Sequence, residues 1–166
     1  MKKTVLLILA AVCISLLGGC SQGVMPLVSY NYSSGNTKRM KDGVRLTLTA
    51  SLILMVVITM LFSVFPGFFM RLFMRDEAVV EYGSHFLVGM SLAQPFMCID
   101  FMAVGVFQAV GMGGHALAFA VLRKVVLEIP ALIVLNAIFP LYGLAYAQLC
   151  AEFVLAIAAV VTLTRL

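Results

Sequence analysis

The sequence predicts an all-α integral membrane protein with about five transmembrane helices. Of its 166 residues, 63% are hydrophobic and only 11% are charged, and its mean hydropathy of +1.13 is far above that of soluble domains. The apolar residues form long stretches, several of which reach the roughly 20 residues that a helix needs to cross the hydrocarbon core. Because backbone polar groups inside lipid must be bonded within their own segment, these stretches are expected to be helical.

The first half of the chain predicts two helices joined by a basic loop. Residues 1–29 form the first transmembrane helix, and residues 30–45, rich in Ser, Asn and Gly and then in Lys and Arg, form the loop. Four further helices are expected within residues 46–166. The first of these runs over about 46–70, with a break at Pro66, because proline lacks the N–H that helix continuation requires.

The second half of the chain predicts three more helices. A charge-free run too long for one crossing is divided by a glycine-rich turn at residues 111–114, which gives helices over about 84–110 and 115–139. Pro140 is expected to end the second of these. The last helix is predicted over about 141–163.

The basic loop predicts the orientation in the membrane. Short loops rich in Lys and Arg stay on the cytoplasmic side, and the cluster consists of Lys38, Arg39, Lys41 and Arg45. Alternate crossing then places the glycine-rich turn and Arg165 inside, and residues 71–77 outside. The N-terminus falls outside, which conflicts with Lys2 and Lys3.

Two interpretations of the N-terminus remain open. Residues 1–19 have the basic start and apolar stretch of a bacterial lipoprotein signal, followed by Cys20 as the residue that would be acylated. Alternatively, the stretch is an ordinary membrane helix whose upstream partner is missing.

Asp100 is the strongest candidate functional residue, because no other formal charge lies between residues 82 and 122. A carboxylate in mid-bilayer costs about 3 kcal/mol or more, so it indicates a functional site. Uptake of a proton or binding of a sodium ion would suit it. The structural alternative is that Asp100 pairs with a neighbouring helix and only fixes packing. Pro95 frees a carbonyl nearby, in a kink that serves either gating or a fixed bend.

The other charged residues of the apolar stretches receive structural predictions. Glu152 is isolated and either lines a cavity or bonds to a neighbouring helix. Lys124 and Glu128 are four apart and are expected to pair. Arg123 is expected to extend toward the cytoplasmic face.

Several functional classes find no support in the sequence. The four cysteines have no metal-binding spacing, and no nucleophile elbow or phosphate-binding glycine loop is present. We therefore predict neither enzymatic activity nor a bound cofactor. The basic loop lacks interleaved aromatic residues, so it predicts contact with lipid headgroups rather than with nucleic acid.

One continuous run is specific enough to indicate a family. Residues 22–41 read QGVMPLVSYNYSSGNTKRMK, and this order resembles a helix end and cytoplasmic loop in the second half of multidrug and toxic compound extrusion (MATE) transporters. The resemblance covers about residues 19–166. Its later landmarks are DFMAVGVFQA at residues 100–109, Arg123-Lys124 ahead of Ile129-Pro130, and Pro140-Leu141-Tyr142-Gly143.

The resemblance implies a fold and a function. Members of this family have twelve helices in two six-helix lobes around a cavity, and this chain looks like helices eight to twelve. Asp100 falls where several members carry a cation-coupling acid. The resemblance implies secondary-active export of organic cations in exchange for sodium ions or protons, in the bacterial cytoplasmic membrane and together with a missing N-terminal lobe. The expected cavity-lining residues are Gln94, Met97, Phe107, Gln108 and Glu152.

Two alternatives to multidrug efflux remain. The chain is either a non-transporting fragment or one half of a split transporter, or it belongs to a flippase for lipid-linked oligosaccharides. A strongly basic central cavity would favour the flippase, and Asp100 argues against it.

Overall fold

In the computed structural model, Gly19 and residues 22–139 and 142–165 are described, and within these ranges the secondary structure is helical without β-strands. Pro95 and Gly111 stand at the two main interruptions of the central helices. The elements in chain order are α1 (22–33), α2 (Thr37–Val64), α3 (Pro66–Phe73), α4 (Glu77–Leu92), α5 (Gln94–Ala109), α6 (Gly113–Val121), a π-helix (Leu122–Glu128), α7 (Ile129–Ile138) and α8 (Tyr142–Arg165).

The all-α membrane class is confirmed. Three helical segments of the described part, Thr37–Val64, Glu77–Ala109 and Tyr142–Thr164, are long and apolar enough to cross a bilayer. The stretch predicted over 115–139 is helical from residue 113 to residue 138, but three charged residues near its middle make it less apolar. Most of the predicted first helix, including Cys20, lies outside the described residues, as does Pro140.

Two glycines close the helices at the end predicted to be cytoplasmic. Gly35 after α1 has φ 72° and Gly111 after α5 has φ 79°, a left-handed conformation that only glycine adopts at low cost. At the first turn the N–H of Asn36 donates to the carbonyl of Asn31 at 2.9 Å. The turn predicted at the glycine-rich residues 111–114 is confirmed in position, because Gly111 closes α5.

The prediction of a loop over residues 30–45 was wrong in extent, because only residues 34–36 are non-helical. α1 continues to residue 33, and within its last turn Asn31 Nδ2 and Ser33 Oγ donate to carbonyls one turn earlier, at 2.8 and 2.9 Å. α2 begins early because the side chain of Asn36 caps it, accepting from the N–H of Arg39 at 3.3 Å. The basic residues thus stand on the first turns of a helix.

The break predicted at Pro66 and the kink predicted at Pro95 are confirmed. α2 ends at Val64, and Pro66 begins the short α3. Pro95 lies in the first turn of α5, where the chain bends out of α4 at Ala93. The carbonyl that Pro95 leaves without a helical donor is that of Ser91.

Thr59 of α2 takes the place of the missing donor. Its hydroxyl donates to the carbonyl of Ser91 across 3.0 Å, in a buried position. The bend between α4 and α5 is therefore tied to α2, which favours the fixed-bend interpretation of Pro95.

We expect Thr59→Val to destabilise the chain by about 1 kcal/mol, because the isosteric valine removes the hydroxyl that donates to the buried carbonyl of Ser91. Thr47→Val is the matched control, since the Thr47 hydroxyl bonds only within its own helix, to Gly43 at 3.0 Å. Unfolding in detergent monitored by circular dichroism provides the comparison. Equal losses in both variants would contradict the assigned role of Thr59.

α5 lies at the centre of the fold and contacts α2, α6 and α8. Half of its 16 residues are buried, namely Met97, Cys98, Asp100, Met102, Ala103, Gly105, Val106 and Phe107. Near one end of the bundle, Met102 and Val106 pack with Val24, Val28 and Met40 of α1 and α2. A carboxylate in such a helix has no water to solvate it, so its partner must come from a neighbouring helix.

The two ends of the bundle differ in charge. The basic start of α2 lies at the same end as the close of α5 and the C-terminal part of α8, where Met40, Val106 and Leu163 meet. At the opposite end Tyr142 contacts His85, with ring centroids 5.5 Å apart. There the α3–α4 connection holds an exposed ion pair between Arg71 and Glu77 at 3.0 Å.

Candidate site: a buried acid–arginine cluster

Asp100 is positioned in the middle of α5 with only 1% of its surface exposed. Its Oδ2 accepts a hydrogen bond from Nη1 of Arg123 across 3.2 Å. The helix therefore presents the carboxylate to the π-helix, and the predicted packing partner on a neighbouring helix exists. That partner is the guanidinium of Arg123, whose positive charge offsets the negative charge of the carboxylate.

Glu152 of α8 approaches the same guanidinium from another side. It is fully buried, and its Oε1 lies 2.9 Å from Nε of Arg123. The two atoms form a close ion pair but are not aligned as a hydrogen bond. Asp100, Arg123 and Glu152 together are named the acid–arginine cluster below. It joins α5, the π-helix and α8.

The prediction that Arg123 extends to the cytoplasmic face was wrong. Only 14% of its side chain is exposed, its guanidinium carbon lies 4.7 Å from the ring centroid of Phe101, and its Nη2 is 3.7 Å from Sδ of Met97. Two buried carboxylates and an aromatic face attract the cation more strongly than the distant headgroups do. A π-helix begins beside it, at Leu122, and such turns occur often at functional sites.

The cluster holds one more acid than base. With both carboxylates ionised and one guanidinium, its formal charge is −1. Among the described residues, Oδ1 of Asp100 and both carboxylate oxygens of Glu152 are buried without a hydrogen-bond partner. Buried charge without compensation is costly. A proton or a monovalent cation at these oxygens would balance the cluster.

The other residues expected to line a cavity are dispersed. Met97 touches the cluster and also accepts from Nε2 of Gln148 at 3.7 Å. Gln94 lies at the start of α5 with a buried Oε1 that has no described partner. Phe107 is buried in the core, its ring centroid 5.4 Å from that of Phe119, and Gln108 is exposed.

Lys124 and Glu128 form the predicted pair, with Nζ 2.7 and 2.9 Å from the two carboxylate oxygens. The opposite charges of this acid and this base therefore offset each other within the apolar stretch. Arg123 then remains as the isolated base, opposite the isolated acids Asp100 and Glu152. That charge count was the signal in the sequence that identifies Arg123 as a site residue.

A sodium ion at Asp100 would depend on few protein carboxylates. In the part of the chain that the structure describes, no three or more His, Cys, Asp or Glu side chains gather as a metal site. The two acids of the cluster are thus the carboxylate ligands in reach, and further oxygens would have to come from backbone, amide or water groups.

Comparisons with known proteins agree with this architecture. The MatE family model matches residues 4–134. The multidrug export protein MepA of Staphylococcus aureus (strain bovine RF122 / ET3-1) is 34% identical over 141 residues, which are 85% of this chain and 31% of that protein. MepA of Staphylococcus aureus (strain N315) is 32% identical over 142 residues, with shares of 85% and 31%. MepA of Staphylococcus haemolyticus (strain JCSC1435) is 33% identical over 138 residues, with shares of 83% and 30%.

The chain spans about a third of the length of these curated relatives. No solved structure shows a significant match to it. The family match covers most of the chain and includes Asp100 and Arg123. By this match and by its membrane-spanning helices, the chain belongs to the MatE family.

Proposed function

We propose that this chain is part of a multidrug exporter of the bacterial cytoplasmic membrane, which exchanges organic cations for inward-moving protons or sodium ions. The observation that carries the proposal is the acid–arginine cluster, a buried site with one uncompensated negative charge. Ionisable groups inside a membrane protein are expensive and are typical of ion pathways. The relatives named multidrug export proteins support the choice of substrate class.

The cluster suggests how coupling works. Arg123 balances one carboxylate in every state. The second carboxylate alternates between a form that carries a proton or sodium ion and a free, ionised form. A proton or sodium ion arriving from outside neutralises it and disfavours a bound organic cation nearby. When that ion leaves to the cytoplasm, the returning negative charge favours the next organic cation. Binding of the coupling ion and binding of the organic cation thus disfavour each other, because both depend on the same negative charge.

Met97 and Phe101 suit this role at the cluster. Thioether and aromatic groups are polarisable and attract cations without adding a charge of their own. In related architectures the site lies between two lobes that rock against each other. We therefore expect this chain to supply one wall of the pathway and to need a second lobe as partner.

The flippase alternative predicts a basic cavity. The cluster instead has two acids around one base, so its charge favours a cationic substrate. The alternative of a non-transporting fragment predicts that a correctly inserted hybrid containing this chain does not export.

A hybrid transporter tests the proposal. This chain replaces the matching segment of Staphylococcus aureus MepA, and efflux of ethidium from everted vesicles is followed by fluorescence under an imposed proton or sodium gradient. We expect gradient-dependent export by the hybrid and none by this chain alone. A correctly inserted hybrid without export would favour the fragment interpretation, and export by the chain alone would remove the need for a partner.

A further inference from the structure

A pocket of about 460 Å³ opens between the start of α2 and the ends of α5 and α8. It lies at the end of the bundle predicted to be cytoplasmic, and its α5 residue, Val106, is about 9 Å along the helix from Asp100. Its lining residues are Met40, Lys41, Val44, Arg45, Leu48, Val106, Val160, Leu163 and Thr164. Apart from two cations and one hydroxyl, these side chains are apolar.

The two cations lie on one face of α2, because Lys41 and Arg45 are four residues apart. Within the described ranges, neither belongs to an ion pair, with Asp42 or with any other acid. Two like charges four residues apart on one helix face repel each other, so an external anion between them would stabilise the arrangement.

The floor of the pocket is apolar and belongs to the packed core. Val44, Leu48 and Leu163 pack against the buried cluster of Met40 and Val106. An inorganic anion would use only the cationic rim and would leave this floor unused. A ligand that matches both parts has a negative headgroup and a hydrocarbon chain.

We propose that this pocket binds one anionic phospholipid of the cytoplasmic leaflet, with its phosphate between Lys41 and Arg45 and the start of an acyl chain on the apolar floor. Basic pockets between transmembrane helices on this side suit such headgroups. The site goes beyond the proposed transport activity and does not depend on it. Its charge complementarity selects an anionic lipid over a zwitterionic one.

Native mass spectrometry of the purified, delipidated chain in detergent tests the site with phosphatidylglycerol and phosphatidylcholine. We expect one phosphatidylglycerol per chain and much weaker binding of phosphatidylcholine. Lys41→Gln with Arg45→Gln should weaken phosphatidylglycerol binding on the order of tenfold to thirtyfold. The matched control, Lys38→Gln with Arg39→Gln, removes the same charge outside the pocket and should change binding about twofold or less.

A second variant tests the apolar half. Val160→Trp fills the pocket while keeping both cations, and it should also lower phosphatidylglycerol binding on the order of tenfold. Melting temperatures measured without lipid separate lost binding from lost folding.

Four results would overturn the proposal. Equal losses in the rim and control variants would indicate surface electrostatics alone. Equal binding of the two lipids would remove the charge argument, and displacement of the lipid by glycerol phosphate at equal concentration would indicate a soluble anion. Unchanged binding in Val160→Trp would show that the acyl chain lies elsewhere.

Discussion

Replacing Arg123 with methionine is expected to lower the free energy of unfolding by about 3–5 kcal/mol, the usual cost of leaving buried charges unpaired. Methionine keeps much of the length and apolar stem of the side chain, so the loss reports on charge. Without the guanidinium, Asp100 and Glu152 are two buried acids without a cation. Unfolding of the purified chain in mixed micelles, followed by circular dichroism, measures the change.

Two further variants make this prediction specific. Arg123→Met combined with Asp100→Asn and Glu152→Gln should recover most of the lost stability, since no unpaired charge remains. Arg71→Met should cost less than about 1 kcal/mol, because Arg71 and Glu77 form an exposed ion pair at the α3–α4 connection. An equal loss in Arg71→Met, or no recovery in the triple variant, would show that the cluster does not hold the helices together by charge.

Asp100→Asn is expected to abolish gradient-driven ethidium efflux by the MepA hybrid, with a loss of at least about tenfold. The amide keeps the shape of the side chain but leaves Arg123 paired only with Glu152, so the cluster becomes neutral and has no charge to exchange. Membrane insertion should be unchanged, because one ion pair remains. The assay is the same fluorescence measurement with an imposed proton or sodium gradient.

Glu152→Gln makes the same change of charge from α8 and should give a similar loss of efflux. Glu77→Gln is the control, because this acid forms an exposed ion pair with Arg71 outside the cluster and should leave efflux within about twofold. Full coupled efflux in Asp100→Asn would contradict the assignment of the coupling site. A strong loss in Glu77→Gln would indicate a general effect of charge on the hybrid.

The sequence predicted features that depend on local chemistry. Pro66 and Pro95 interrupt helices because they lack an N–H, and Gly111 closes α5 because it adopts a positive φ. The loop over residues 30–45 was overestimated, since polarity alone does not reveal that Asn36 caps a helix at once. Polar composition indicates where a chain leaves the membrane, but side-chain hydrogen bonds decide where its helices begin and end.

Arg123 shows the limit of reading one helix at a time. Beside Lys124, in the third turn of the helix predicted over about 115–139, it has the pattern of a long cationic residue that extends to the headgroups. Its true direction depends on the π-helix and on two acids from distant parts of the chain. Neither local pattern nor hydropathy reports that arrangement, whereas the count of isolated charges does.

The most direct test of the account is infrared difference spectroscopy of the purified chain during a pH titration, with and without sodium. The account predicts one buried carboxyl group that takes up a proton, or is held ionised by sodium, in the wild-type chain. Its C=O stretching signal should be absent in Asp100→Asn and in Glu152→Gln, since each leaves a neutral acid–arginine pair. A signal of the same size in both variants would contradict the claim that the cluster holds the exchangeable charge.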